Sequence, residues 1–511
     1  LNIICEIYIL IKREKVMILE TIKSQKITFE QKVVTLARLA EGSIEVLNKS
    51  EALKKYIEDG IICDLFEGNA PYRPRYIVPD YDIFMEQGSK FLNLDKPTNI
   101  WEAVHGLLIL YKHVPSITTM PVYLGNIDYL LEPFIKDEAE AYLAIKLFLK
   151  HIDSTITDSF CHANIGPKET KAGILILRAM RELELPTPNL TIKYTEETTD
   201  KIAVEAIKTA LVTAKPSFAN DKIFRADFKG EYGIVSCYNG LKVGGGANTL
   251  VRVRLGALSK LANSKEDFFA RVLPEVSKEM LEYIDERSKF IIEESGFYES
   301  SFLIKEGLLE KEKFTGLFGF VGLAECVNNL LGATEKQDRF GYSEKANKLG
   351  LEIVEAMSKL IAAHKTKYAG EFFGNTHLLH SQVGIDTDRN ESPGCRIPVG
   401  EEPEIFDHIV QSAPFHQYCP SGIGDIFVFD ETYKSNPEAI LDIIKGAFET
   451  EMRFFSLYSD TCDVVRVTGY LVKKSEIEKL DKGEQVLRDT TILGKGARDN
   501  AKALGRKLRS E

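Results

Sequence analysis

The stretch SDTCDVVRVTGYLVKK, residues 459–474, contains two short β-type runs, DVVRV and YLV, with Gly469 between them. A glycine in such a place commonly turns a hairpin or lets a second backbone pass close by. On local geometry alone this structural interpretation is sufficient. The stretch therefore predicts a pair of short strands around a glycine turn.

Arg466, Val467, Thr468, Gly469 and Tyr470 together read RVTGY, which resembles the RVxGY signature of glycyl radical enzymes. The position of Gly469 near the end of a chain of 511 residues also matches that family. The resemblance implies that Gly469 stores a radical and that the other four residues form the radical loop. An α-carbon radical is delocalised over both neighbouring peptide groups only when its centre is planar. Glycine suits this because it has no β-carbon to crowd that planar centre.

A second stretch, YGIVSCYNGLKVGGGANTLVRVRL (232–255), carries the partner that this chemistry needs. Cys237 ends a β-rich run, and Gly244, Gly245 and Gly246 are expected to form a flexible loop before the next one. Taken alone, a cysteine at this place is most often a buried structural residue. The resemblance implies instead that Cys237 lies on a loop inside a barrel. There its thiol passes hydrogen to the glycyl radical, and the resulting thiyl takes hydrogen from substrate.

Further motifs resemble the YjjI type of glycyl radical enzyme over most of the chain: PYRPRY (71–76), PSITTMPVYLG (115–125), PNLTIKY (188–194), FVGLAEC (320–326) and CPSGIGDIFVFD (419–430). Two of the stretches, FVGLAEC and GGGANTLVRVRL, also resemble anaerobic ribonucleotide reductases. Those enzymes carry paired zinc-binding cysteines just before the radical glycine, whereas here only Cys462 is present. No N-terminal ATP-binding regulatory domain is recognisable either. Both departures count against nucleotide reduction, which stays as the alternative.

The residues beside Cys237 separate the remaining subgroups. Formate-lyase-type enzymes have two adjacent cysteines, but Tyr238 follows Cys237. Diol- and choline-type eliminases have a glutamate two residues after the cysteine, where this chain has Asn239. Neither chemistry is supported, and Asn239 is retained as a candidate residue of the substrate pocket.

Three other polar residues are candidates for the pocket or for proton transfer. Glu325 is either an acid or base that assists a radical elimination, or a solvated charge at a helix end. His416 and Asp425 flank the glycine-rich PSGIG turn and either line the pocket or cap that turn. His377 and His380 have no third ligand at a recognisable spacing, so two structural histidines and no metal site are predicted.

Charge and cysteine spacing exclude several other classes of protein. The net charge of −11 repels phosphate backbones, so no nucleic-acid partner is expected. A signal peptide has its basic residues before its apolar run, whereas here the apolar residues 1–10 come before the basic residues Lys12, Arg13 and Lys15. Ten residues are also too few to span a membrane, so neither a signal peptide nor a membrane anchor is expected. We interpret residues 1–16 as an upstream extension without function, with Met17 as the natural start. The eight cysteines include no CxxC pair, which predicts thiols in a reducing cytoplasm.

The order of the segments predicts an α/β fold. Helical patterns cover 17–60, 101–113, 136–152 and 201–214, the middle from 263 to 365 is mostly helical, and β-type runs stand between helices. The resemblance implies a ten-stranded α/β barrel of the glycyl radical enzyme type, built from two five-stranded halves with surrounding helices. Residues 17–400 would contain the helical N-terminal part and the main barrel with its cysteine loop, and 401–511 the glycine radical domain.

The resemblance also implies the partners. A separate activase that depends on S-adenosylmethionine and a [4Fe–4S] cluster would install the radical on Gly469, and no cofactor would be bound permanently. The substrate is expected to be a small polar molecule, and a homodimer is the assembly to consider. Elimination, cleavage and reduction are not distinguished. A hypothesis from another class is a catalytically silent barrel that only binds a ligand.

Overall fold

The computed structural model describes residues 16–65, 67–114, 116, 120–156, 160–382 and 390–504. The proposed upstream extension, apart from residue 16, and part of PSITTMPVYLG lie outside these residues. In the described chain no helix is both long and apolar enough to span a membrane. No disulfide is present among the same residues.

The strands are short, and several are buried on both faces. They are β1 (Ile62–Cys63), β2 (Tyr76–Val78), β3 (Tyr123–Asn126), β4 (His162–Ile165), β5 (Asn189–Tyr194), β6 (Ser217–Asn220), β7 (Tyr232–Val235), β8 (Asn239–Lys242), β9 (Gly245–Arg254), β10 (Phe314–Val321), β11 (Leu378–Ser381), β12 (Asp425–Phe429), β13 (Phe454–Ser459), β14 (Val464–Val467) and β15 (Tyr470–Lys473).

Most helices lie between consecutive strands. They are α1 (16–23), α2 (Phe29–Gly42), α3 (Glu51–Glu58), α4 (Tyr81–Gln87), α5 (Ile100–Lys112), α6 (Ile127–Leu131), α7 (Glu138–Thr155), α8 (Lys171–Leu183), α9 (Asp200–Thr213), α10 (Asp221–Asp227), α11 (Leu255–Ser259), α12 (Lys265–Asp267), α13 (Leu273–Lys289), α14 (Phe297–Ser300), α15 (Phe302–Lys305), α16 (Leu323–Leu331), α17 (Glu344–Ala363), α18 (Ile405–Ser412), α19 (Pro437–Glu449), α20 (Lys474–Asp481) and α21 (Asp489–Ala503). Two π-helical turns, Phe268–Val272 and Phe290–Glu294, adjoin α13, and six short 3₁₀ helices lie at Glu132–Phe134, Lys311–Lys313, Lys336–Asp338, Glu371–Phe373, Ala413–Tyr418 and Glu431–Ser435.

The first sheet has the order β1-β9-β10-β11, with β2 also paired to β9. Strands β9, β10 and β11 are parallel, as expected for strands joined by helices. Strands β1 and β2 run antiparallel to β9 and pair with different parts of it, β2 near Gly246 and β1 near Val253. They therefore share one edge position, and the sheet is four positions wide.

The second sheet has the order β12-β13-β6-β5-β4-β3 and is parallel except between β13 and β6. Together the two sheets supply ten strand positions. By hydrogen bonding they are divided as four and six. Strand direction reverses where β2 pairs with β9 and where β13 pairs with β6, as expected where the two parallel halves of the predicted barrel meet.

Two hairpins lie apart from both sheets. Strands β7 and β8 are antiparallel and close with the pair Val235–Asn239, so that three residues form the loop. Strands β14 and β15 close with the pair Val467–Tyr470, so that two residues form the turn. The second hairpin confirms the strand–glycine–strand arrangement predicted for residues 459–474.

Apolar faces of the helices cover the sheets. One core lies between the second sheet and α5, α7, α8, α9 and α19, and another between the first sheet and α11, α13, α16 and α17. A third, smaller cluster surrounds the β7–β8 hairpin and includes Phe224, Phe228 and Phe454. The hairpin is thus enclosed by side chains from the second sheet and from α10.

The prediction of a flexible loop at the three glycines is wrong. Only Gly244 lies in the turn, and Gly245 and Gly246 begin β9. A β-carbon on Gly245 would meet the carbonyl oxygen of Lys313, and one on Gly246 would meet that of Tyr76. These glycines are needed because neighbouring backbones pass close to the start of β9.

Candidate active site where two hairpin tips meet

Cys237 lies at the tip of the β7–β8 hairpin, in the loop formed with Ser236 and Tyr238. Its side chain is only 6% exposed. Ser236 adopts a left-handed conformation with φ 57°, which tightens the loop. The Cys237 thiol points to the carbonyl oxygen of Gly469, with an Sγ–O distance of 3.7 Å.

Gly469 lies at the tip of the other hairpin, in the two-residue turn with Thr468. Thr468 has φ 53°, a value typical of the two-residue turns that match the twist of a hairpin. Gly469 is buried, and the next residue, Tyr470, packs its ring against Phe160 with centroids 5.5 Å apart. The structure therefore brings together the two residues that the sequence identified for the radical.

Polar side chains of the second sheet hold the cysteine hairpin in place. The amide of Asn164 on β4 accepts from the Ile234 N–H at 2.8 Å and donates to the Ile234 carbonyl at 3.0 Å. Lys193 on β5 donates to the Tyr232 carbonyl at 2.7 Å. Since β7 lies outside both sheets, these side chains supply the partners that its buried backbone needs.

His162 extends this set of contacts to the cysteine loop itself. Its Nδ1 bonds the carbonyl of Ser236, and its Nε2 lies 3.2 Å from the hydroxyl of Thr191. Burial lowers the pKa of His162 well below its ordinary value, and the nearby positive charge of Arg466 lowers it further. The imidazole is therefore neutral, with Nδ1–H as the donor to Ser236.

Strand β11 of the first sheet and the segment before β12 also hold the β7–β8 hairpin. The Tyr238 hydroxyl donates to the Ser381 carbonyl at 2.6 Å, and the Gly240 N–H donates to the Ser421 carbonyl at 2.8 Å. The Tyr238 ring also lies 6.0 Å from the ring of His380. The cysteine loop is thus held from both sheets at once.

The predicted pocket residues occupy different places. Asn239 is the first residue of β8 and is buried, two residues from Cys237. Asp425 begins β12 and accepts a 2.8 Å hydrogen bond from His408 Nε2. Its other oxygen lies 3.8 Å from Arg396 Nε, and the Arg396 guanidinium carbon lies 5.7 Å from the Tyr238 ring centre. Asp425 is therefore linked to Tyr238, the residue after Cys237, through Arg396.

Glu325 and His416 both bind backbone. Glu325, in the first turn of α16, accepts from the N–H of Ser392 at 3.0 Å and from its hydroxyl at 2.7 Å. His416 accepts the Arg453 N–H at 2.8 Å through Nδ1. Burial and the charge of Arg453 lower the pKa of His416 to about 3, so this imidazole is neutral. Contact of either residue with a substrate stays a prediction.

His377 and His380 separate in the structure. His380 lies by Tyr238, whereas His377 Nε2 and His364 Nε2 each lie 2.8 Å from an oxygen of Asp285. The three ligand atoms lie within 4.8 Å of one another, a grouping that sequence spacing did not indicate. However, His377 Nδ1 accepts the Gly316 N–H at 3.1 Å, so in the neutral ring Nε2 carries the proton and donates to Asp285. This hydrogen bonding favours a His–Asp–His bridge between α13, α17 and β11.

Comparison with models of protein families shows the family of this chain. The family model described as "Glycyl radical enzyme YjjI-like" matches residues 27–509. The chain belongs to the YjjI-like glycyl radical enzyme family. It is 48% identical to an uncharacterized protein of Haemophilus influenzae, with 97% of both chains covered. It is 41% identical to the uncharacterized protein YjjI of Escherichia coli K12, over 96% of this chain and 95% of the other.

Solved structures of other glycyl radical enzymes share the fold. The anaerobic ribonucleotide reductase of Thermotoga maritima, in complex with dATP and CTP, aligns with a TM-score of 0.64 at 13% identity, covering 84% of this chain and 85% of that one. Hydroxyproline dehydratase of Clostridioides difficile aligns with a TM-score of 0.60 at 12% identity, covering 91% and 83%. The predicted barrel fold of this superfamily is confirmed.

Sequence reasoning missed His162, Asn164 and Arg396 because each acts across the fold. Asn164 and the backbone it binds are 70 residues apart. The local signal that could have indicated His162 and Asn164 is their spacing of two residues in β4, which places both side chains on the same face of the strand.

We expect Asn164→Ala to lower the free energy of unfolding by about 2 kcal/mol or more, because it leaves two buried backbone groups of Ile234 unpaired. Urea unfolding measures the change. The matched control is Asn263→Ala at an exposed position, with an expected change within about 0.5 kcal/mol. Equal effects of the two substitutions would contradict the bracing role of Asn164.

The buried neutral His416 predicts acid lability. The pKa of His416 is lower in the folded chain than in the unfolded chain. Below pH 6.5 the unfolded chain therefore binds a proton that the folded chain does not bind, and the free energy of unfolding decreases as the pH is lowered. Between pH 7 and pH 5 the wild type should lose about 2 kcal/mol more than His416→Gln, whose amide oxygen can still accept from Arg453. Urea melts at both pH values measure this, with the exposed His151→Gln as control. The same loss in wild type and His416→Gln would refute the assignment.

Proposed function

We propose that the protein is a radical enzyme in which Gly469 stores the radical and Cys237 carries it to the substrate. The observation that supports this most directly is the 3.7 Å approach of Cys237 Sγ to the Gly469 carbonyl, whose carbon is bonded to the α-carbon that would hold the radical. Family membership supports the class of chemistry.

Before the proposed cycle begins, a separate activase, which uses S-adenosylmethionine and a [4Fe–4S] cluster, would remove one hydrogen atom from the Gly469 α-carbon, and that atom would leave with the deoxyadenosyl group formed from S-adenosylmethionine. Within the cycle itself every hydrogen is conserved. The glycyl radical then takes the hydrogen atom of the Cys237 S–H bond and leaves a thiyl radical. The thiyl takes a hydrogen atom from a small polar substrate, and after the substrate radical reacts, the same atom returns by the same route.

Burial suits this relay. Cys237 is 6% exposed and Gly469 is buried, so water and oxygen are largely excluded from both radical positions. The loop neighbours are neutral, because burial raises the pKa of Tyr238 and lowers the pKa of His162. A thiol that reacts as a hydrogen-atom donor needs no base beside it, in contrast to a nucleophilic cysteine.

Nucleotide reduction is the less favoured alternative. The fold neighbour from Thermotoga maritima is an anaerobic ribonucleotide reductase, but at 13% identity this likeness shows the fold alone. Cys462 is the only cysteine close before Gly469, and its thiol contacts the carbonyls of Ser459 and Val464. A cysteine held by its own loop favours a structural role over that of a metal ligand.

Activation tests the radical position. Anaerobic incubation with the activase should give a doublet in the electron paramagnetic resonance spectrum, because one hydrogen remains on the Gly469 α-carbon. Gly469→Ala should give no doublet, whereas Gly483→Ala, in an exposed turn, should keep it. Absence of the signal with an activase that is active on another substrate protein would refute the proposal, as would a doublet in Gly469→Ala.

Deuterium exchange tests Cys237 without knowledge of the substrate. In D2O the Cys237 thiol becomes S–D, so repeated transfer should place deuterium on the Gly469 α-carbon and collapse the doublet to a single line. Cys237→Ser should keep the doublet in D2O because the O–H bond is too strong to take part. Cys462→Ser should behave as wild type. Collapse at the wild-type rate in Cys237→Ser would exclude Cys237 as the relay.

A further inference from the structure

Arg466 places a positive charge beside the proposed reaction centre and has no counter-ion among the described residues. It lies on β14, opposite Leu471 and three residues before Gly469. Its Nη2 is buried and donates no hydrogen bond, and no acidic side chain of the described residues forms an ion pair with it. A buried charge is normally paired, because the loss of its hydration is costly.

Arg396 places a second guanidinium near the cysteine loop. Its side chain is 9% exposed, and its Nε donates to the Gly424 carbonyl at 2.9 Å. Within the described chain neither of its Nη atoms donates a hydrogen bond, so the N–H groups at the end of the guanidinium can bind a ligand. The guanidinium faces Tyr238, the residue after Cys237.

The nearby carboxylate does not balance both charges. Asp425 accepts from His408 and from the N–H of Ile426 at 3.0 Å, and its Oδ1 lies 3.8 Å from Nε of Arg396. Burial and, to a smaller extent, the repulsion from Arg396 lower the pKa of Arg466 to about 10, which leaves it charged at neutral pH. Among the described residues near Cys237, the charges are therefore those of two cations, Arg396 and Arg466, and of one carboxylate, Asp425.

We propose that the substrate carries an oxyanion group, a carboxylate or a phosphate, that is bound by Arg396 and Arg466 beside Cys237. This inference rests on the proposed function, since it assigns the substrate class of the same site. A guanidinium presents parallel N–H donors that match two oxygens of either group. The Thr468 hydroxyl, buried and without a hydrogen-bond partner, lies in the same loop and offers one more donor.

Such a group would also orient the substrate. Anchoring the anion at the arginines would hold the rest of the substrate in a fixed position beside Cys237. Hydrogen-atom transfer depends steeply on distance and alignment, so a fixed anchor contributes to rate as well as to affinity.

Binding to the unactivated protein tests this inference. The full chain is titrated calorimetrically under reducing, anaerobic conditions with inorganic phosphate, with malonate and with uncharged glycerol as the control. We expect at least one anion to bind with a Kd of roughly millimolar or tighter, and glycerol not to bind. Binding of phosphate alone would assign a phosphorylated substrate, and binding of malonate alone a carboxylate.

Substitutions locate the binding. Arg396→Gln and Arg466→Gln should each weaken the anion at least tenfold, whereas Arg339→Gln, which changes a partly exposed arginine paired with Glu401, should leave it unchanged. Arg466→Lys keeps the charge and should bind with intermediate affinity, which covers the case that the glutamine variant does not fold. No anion binding by the wild type, or undiminished binding by Arg396→Gln and Arg466→Lys, would overturn the inference. Because no radical is needed, failure here leaves the activation test of Gly469 independent.

Discussion

The hydrogen bonding of the β7 backbone to side chains of the second sheet is the constraint on which the site depends. A hairpin enclosed by two sheets cannot pair its backbone with either of them, and unpaired buried groups would be costly. Asn164 and Lys193 satisfy Ile234 and Tyr232, and His162 binds the carbonyl just before Cys237. These hydrogen bonds fix the position of the cysteine loop between the two sheets.

The second hairpin is held in a different way, and the difference fits its proposed role. Within the described chain, strands β14 and β15 form a two-stranded sheet of their own, and α21 packs against β15. Such a hairpin can open at a lower free energy than one that side chains brace from both large sheets. The cysteine loop is thus the fixed part of the site, and the glycine turn is the part that an activase would reach.

The charges around the loop are arranged unevenly. Burial keeps His162 neutral and the nearby Tyr238 protonated, so the proposed hydrogen-atom transfer needs no change of protonation at either residue. The cations are Arg396 and Arg466, and among the described residues Asp425 is the carboxylate that lies near Arg396. In the proposed function the two guanidinium groups bind the charged substrate, whereas the thiol transfers a hydrogen atom without ionising.

By itself the sequence indicated the candidate radical pair and the turn around Gly469, because the proposed chemistry needs specific residue types and a two-residue turn is a local structure. Periodicity likewise located α5, α7 and α9, and the β-type runs indicated β7, β9, β14 and β15. Only the tertiary structure brought Cys237 to Gly469, which is 232 residues away, and placed Arg396 beside Tyr238. It also showed that Gly245 and Gly246 belong to a strand. These features depend on which backbones and side chains meet across the fold, and the spacing of residues along one chain does not contain that information.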